Sequence, residues 1–207
     1  MNSVPPLRLL ETTEEQPPAL HLRAMDNLRY IRETMERAGS FTAVSGAAMC
    51  AIGAMALLTA VLAPGGPASP EWLRGWMLAL VLSVIASGWG TVRKAREAGL
   101  PLVTGPVRKF LLAFSPPMAV GAVLTAVLIG SGDHHLLPGI WLLLYGTAVV
   151  CAGTYSVRII PAMGAAFMLL GTVALVTGPA WADVLMAAGF GGLHLLFGVL
   201  IVRGHGG

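Results

Sequence analysis

The stretch from Leu136 to Thr177 reads LLPGIWLLLYGTAVVCAG, then TYS, then VRIIPAMGAAFMLLGTVALVT, and Arg158 is its single charged side chain. It holds two apolar runs, 136–153 and 157–177, separated by a short polar break. Each comes close to or exceeds the ~20 residues that a helix needs to cross the hydrocarbon core of a bilayer. Outward from this pair the pattern repeats at 41–63, 73–91, 107–130 and 181–202, so six runs are expected to span a membrane. Taking the connections alternately, one side collects Arg8, Arg23, Arg29, Arg32, Arg37, Arg93, Lys94, Arg96, Arg108, Lys109, Arg158 and Arg203, and the other holds only Arg74. Cationic residues stay on the cytoplasmic side. The expected fold is therefore all-α: a polytopic membrane protein with six transmembrane helices and both termini cytoplasmic.

Composition agrees with a bilayer solvent. Of 207 residues, 56% are hydrophobic and 11% charged, and the mean hydropathy is +0.76. Soluble domains carry roughly a quarter charged residues. The net charge of +3 does not imply nucleic acid as a partner, because the orientation rule accounts for all the cations but one. Acidic residues sort as well: Glu71, Asp133 and Asp183 fall outside and the other seven inside. The first forty residues are polar and carry Glu11, Glu14 and Glu15, so no cleavable leader is expected. Cys50 and Cys151 both sit within apolar runs, where a thiol is a small packing residue.

Residues 1–19 contain four prolines and no apolar period, which reads as a disordered tail. A helix is expected over 20–39. Ala24, Leu28, Ile31, Met35 and Ala38 recur at alternating spacings of four and three, a narrow apolar seam on a cytoplasmic amphipathic helix. Its other face carries Arg29–Glu33, Arg32–Glu36 and Glu33–Arg37 at i,i+4. The membrane domain follows over 41–203. Its outer connections are short and rich in breakers, too small to fold as a separate domain. A gapless register sets Trp76 to Arg93 on Trp141 to Arg158, with Gly88 on Gly153. Duplication of a helix hairpin explains it, and so does a shared need for Trp and Arg at the two membrane faces.

Ionisable groups inside a bilayer are costly and mark candidate sites. The sixth run offers one, in Gly189-Phe-Gly-Gly-Leu-His194. Gly191 and Gly192 remove bulk beside His194, and Tyr145, within the fourth run, is a further intramembrane polar candidate. One reading makes His194 a haem or metal ligand or a proton carrier. The other makes it a neutral imidazole hydrogen-bonded to a neighbouring helix, with the glycines serving close packing. His134 and His135 beside Asp133 offer ligands to a divalent cation, but adjacent residues rarely both face one ion, and a polar outer loop is the expected reading. Pro116, Pro117 and Pro161 bend helices and, with Ser83, Ser87, Thr125 and Tyr145, are candidates to line a small cavity. No catalytic set, metal-ligand set, cofactor motif or phosphate loop can be assembled from the spacing.

The segments from Arg23 to Val44 and from Leu137 to Gly146, then Ser156-Val-Arg158, Pro161-Ala-Met-Gly164 and Gly189 to His194, resemble a group of uncharacterised bacterial integral membrane proteins. The likeness covers most of the chain after the tail. It implies a bacterial inner-membrane location and transfers no activity. Three functional classes follow. The first is a non-enzymatic sensor, regulator or assembly subunit that uses Leu28, Ile31 and Met35 to bind a partner or to self-associate. The second is a small transporter or channel for an uncharged or lipid-like solute. The third is a haem-binding membrane subunit.

Overall fold

Where no water is available to backbone amides, an apolar segment satisfies them by coiling on itself. The computed structural model is all-α, and describes residues 22–32, 45–63, 65–97, 105–157 and 159–204, without the side chains of 105 and 106. The chain divides into two units, Met1–Ala38 and Gly39–Gly207. In the first, a helix α1 covers 22–32; the rest of the 20–39 expectation, Met35 included, and the tail lie outside the described residues. The second unit holds α2 (Gly46–Leu62), α3 (Pro70–Glu97), α4 (Gly105–Ser131), α5 (Leu137–Gly153), α6 (Ile159–Thr177) and a composite α7 (Pro179–Gly204). Five of these, α3 to α7, are long and apolar enough to cross a membrane, counting with α5 the 3-10 turn His134–Leu136 that leads into it. The chain is thus read as a polytopic membrane protein. The sixth, α2, is equally apolar and has 17 residues, about 25 Å at 1.5 Å per residue.

The helix ends follow local chemistry. Ser45 caps α2 by accepting from the Ala48 amide at 3.4 Å. After the positive-φ pair Gly65 and Gly66, Ser69 accepts from the Trp72 amide at 3.0 Å, Pro70 takes the first helical position and Glu71 the first turn. At its far end α3 runs past the expected boundary at Thr91 to Glu97, whose carboxylate accepts from Arg93 at 2.7 Å. Pro116 and Pro117 sit inside α4, which continues through them and buries none of its described side chains fully. At the edge of the bundle a missing amide is tolerated.

Small residues set how closely the helices approach. Along α5, Gly139, Gly146 and Gly153 recur every seventh residue, as do Gly164 and Gly171 on α6. Seven residues make almost two turns, so each set forms one stripe. The stripes meet antiparallel. A Cβ on Gly164 would stand 2.7 Å from the Gly146 carbonyl, and one on Gly171 would stand 2.9 Å from the Gly139 carbonyl. Helices α2 and α7 repeat the device: Gly46 would meet the Gly198 carbonyl at 2.7 Å and Gly53 the Gly191 carbonyl at 2.8 Å. Between α2 and α3, Gly75 faces Ala63 and Gly90 faces Ala48, again antiparallel. The side chains enclosed by these pairings, among them Trp72, Leu142, Phe167, Met186 and Ile201, are fully buried.

Gly164→Leu is expected to force α5 and α6 apart, at a cost of more than about 2 kcal/mol as overpacking. Gly130→Leu, where an added Cβ meets nothing within 4 Å, is expected to leave stability unchanged. Thermal unfolding in detergent, followed by size exclusion, separates the two outcomes.

Candidate functional site

The middle of α7 is unusual in its winding. After the α-helical Ala182–Met186, residues Ala187–Leu193 form a π-helical segment, and His194 opens the α-helical remainder. A π turn widens the helix; such turns are rare and are found frequently at functional sites. Three glycines, Gly189, Gly191 and Gly192, fall inside it and relieve crowding. Gly189 presses on the interior, where an added Cβ would meet Leu142 of α5 and Phe167 of α6.

His194 points into the bundle and is 2% exposed. Its Nε2 is hydrogen-bonded to the Tyr145 hydroxyl at 2.7 Å, joining α7 to α5. Nδ1 is enclosed without a hydrogen-bond partner among the described residues. Which of the two groups donates in the Tyr145–His194 bond is set by the imidazole tautomer. Aromatic rings close the site. Phe167 stands edge-on to His194 at 5.4 Å, Phe190 stacks on it at 6.2 Å, and Tyr145 lies 4.7 Å from Phe167 and 5.2 Å from Phe190. The result is an imidazole–phenol pair in an aromatic cage, with the imidazole itself buried.

The cage continues in both directions. Phe114 of α4 meets Tyr145 edge-on at 5.9 Å. On the other side Phe190 contacts Trp76 at 6.0 Å, and Trp72 stacks on Trp141 at 5.5 Å. Two indoles are anchored by polar atoms: Trp72 donates to the Asp183 carboxylate, and Trp141 donates to the Thr125 hydroxyl at 2.8 Å. Tryptophans near membrane faces are expected to sit in the headgroup belt. Here Trp72 and Trp76 are buried inside, whereas Trp181 is more than half exposed. The two positions matched by the internal register also differ, since Gly153 packs on Pro161 and Gly88 meets nothing.

The structure brings Tyr145 and His194 together, as the sequence placed them in the candidate set. Gly191 packs on Leu57 of α2, on the flank of the site. Gly192 is exposed, with nothing nearer to an added Cβ than the Ala187 carbonyl at 4.0 Å, and takes no part. Thr125 is used by Trp141 and its own helix, and Ser87 is exposed, so the residues grouped as a cavity lining are dispersed. In the connection between α4 and α5, Asp133 accepts from Ser131 and His134 bonds the Gly132 carbonyl. Among the described residues no three metal-ligating side chains converge. Sequence reasoning missed Phe167 and Phe190. A single Phe in an apolar run looks the same whether it faces lipid or a neighbour.

Chemically the pair holds one proton between a phenol and an imidazole and ties α5 to α7. Hydrogen bonds between membrane helices contribute roughly 0.6 kcal/mol on average and up to about 1.7. Tyr145→Phe is therefore expected to cost about 1 kcal/mol. Adding His194→Leu is expected to cost less than the sum of the single changes, because the orphaned nitrogen is then gone. A double-mutant cycle of thermal unfolding in detergent measures the coupling. Compared with models of known families, with curated proteins and with solved structures, the chain matches none.

Proposed function

We propose that this chain is a six-span protein of a bacterial inner membrane, with both termini in the cytoplasm, and that it acts without catalysis. Its helical bundle is a fixed platform, and its N-terminal helix docks a protein partner or a second copy as part of a sensor, regulator or assembly subunit. The sixth crossing is α2. Its antiparallel contacts with α3 extend from Gly75 and Ala63 to Gly90 and Ala48, about 22 Å along α3, which supports its running through the bilayer beside a spanning neighbour. The placement of twelve of the thirteen cations supports the orientation. The resemblance to uncharacterised bacterial membrane proteins supports the location.

The observation that carries the docking reading is the surface of α1. Met25, Leu28 and Ile31 are each more than half exposed on a short helix that also presents Arg23, Asp26 and Arg29. An apolar stripe bordered by charge is the pattern that helices use against a partner. The interior of the bundle supports the same reading from the other direction. The buried imidazole of His194 is engaged by Tyr145 and walled by Phe167 and Phe190, an arrangement suited to holding helices together. Transport of an uncharged or lipid-like solute has one observation in its favour, the consecutive prolines in α4. A haem subunit has less, since the Nε2 that would ligate iron faces Tyr145.

Leu28→Asp with Ile31→Asp is expected to release a co-purifying partner, or to halve the mass of the detergent-solubilised particle measured by light scattering, with the bundle still folded. An unchanged assembly would remove the docking role. Reporter fusions after Glu97 are expected to give a cytoplasmic signal; a periplasmic one overturns the orientation.

A further inference from the structure

We propose that a groove between α2 and α3 is a binding site for one zwitterionic phospholipid with a primary ammonium headgroup. The groove has a volume of about 390 Å³. Its walls are Met55, Leu58 and Leu62 from α2 and Leu78 and Leu82 from α3, with Ala79 at its floor. The one hydroxyl on this surface, Thr59, already donates to the Met55 carbonyl at 2.9 Å. Nothing in the walls asks for a polar ligand, and a hydrocarbon chain fits their chemistry.

The groove has one charged end. Glu71 lines it, and Arg74 reaches the Glu71 carboxylate at 3.4 Å while both side chains remain more than half exposed. An exposed pair of this kind binds itself weakly and keeps valences for other ions. Arg74 offers a cation to a lipid phosphate, and Glu71 offers a carboxylate to an ammonium. A purely anionic headgroup would meet repulsion from Glu71, and a quaternary ammonium would have no N–H to donate to it. From Glu71 to Leu82 the groove runs eleven residues of α3, about 16 Å. That length matches one leaflet, half of the ~30 Å hydrocarbon core, so a headgroup at Glu71 and Arg74 leaves its chain lying along the walls. Close contact of Gly75 with Ala63 closes the helix pair near the charged end, and the bulkier leucines splay around the gap beyond it. The site does not depend on the docking role of α1.

The test is native mass spectrometry of the full chain, extracted in mild detergent, delipidated and titrated with phosphatidylethanolamine, phosphatidylcholine or phosphatidylglycerol. One phosphatidylethanolamine is expected to bind, and to survive collisional activation that strips the other two lipids. Leu58→Trp with Leu82→Trp fills the groove from exposed positions and is expected to abolish that adduct with the unfolding temperature of the lipid-free protein unchanged. Glu71→Gln is expected to remove the preference over phosphatidylcholine while retaining binding. Equal retention of all three lipids by the unaltered chain, or an adduct that persists in the tryptophan variant, overturns the site. If the tryptophan variant does not fold, loss of headgroup preference in Glu71→Gln decides, and an unchanged preference there overturns the proposal.

Discussion

Close approach of backbones through glycine is the constraint on which the rest of this structure depends. In a bilayer the lipid tails are as apolar as leucine, so helices gain little by hiding apolar surface from them. Association rests on van der Waals contact, which falls off steeply with distance. Stripes at Gly139–Gly146–Gly153 and Gly164–Gly171, and at Gly46–Gly53 and Gly191–Gly198, bring paired backbones to contact distance. Once α5 and α6 are joined in this way, and α2 with α7, the large side chains have fixed places to fill.

Those places account for the candidate site. With Leu142 against Gly189 and Leu57 against Gly191, the middle of α7 is held on two sides by neighbouring helices. The π segment widens the helix between them and sets His194 facing Tyr145. Phe167 and Phe190 then pack on the buried imidazole, whose polar partner is the phenol. Both rings are held by packing, and the pair behaves as a clasp between α5 and α7.

Helix α4 shows the opposite regime. Among its described residues it has no glycine stripe against a partner and no buried side chain, and it tolerates two consecutive prolines. Its ties are specific: Phe114 against Tyr145 and Thr125 accepting from Trp141. Between α2 and α3 the small residues lie at the two ends of the contact, and the leucines in the middle leave the groove. Where glycines are spaced evenly the helices touch throughout; where they are not, room remains for lipid.

The sequence by itself determined that the chain is helical and apolar enough to cross a membrane repeatedly, because both properties are sums over local residues. It set the boundaries of α4, α5, α6 and α7 to within two residues, since Gly, Pro and charge punctuate the runs. It also singled out His194 and Tyr145, as polar groups inside apolar runs are visible without coordinates. The tertiary structure decided which faces meet. Gly191 and Gly192 are adjacent and chemically identical, yet one packs on α2 and the other faces outward, a difference fixed by the rotation of α7. Trp72 and Trp76 share the composition of interface anchors and were drawn inward by Asp183, Trp141 and Phe190. Long-range partners of this kind depend on the rotation of each helix about its axis, which packing sets and hydropathy does not encode.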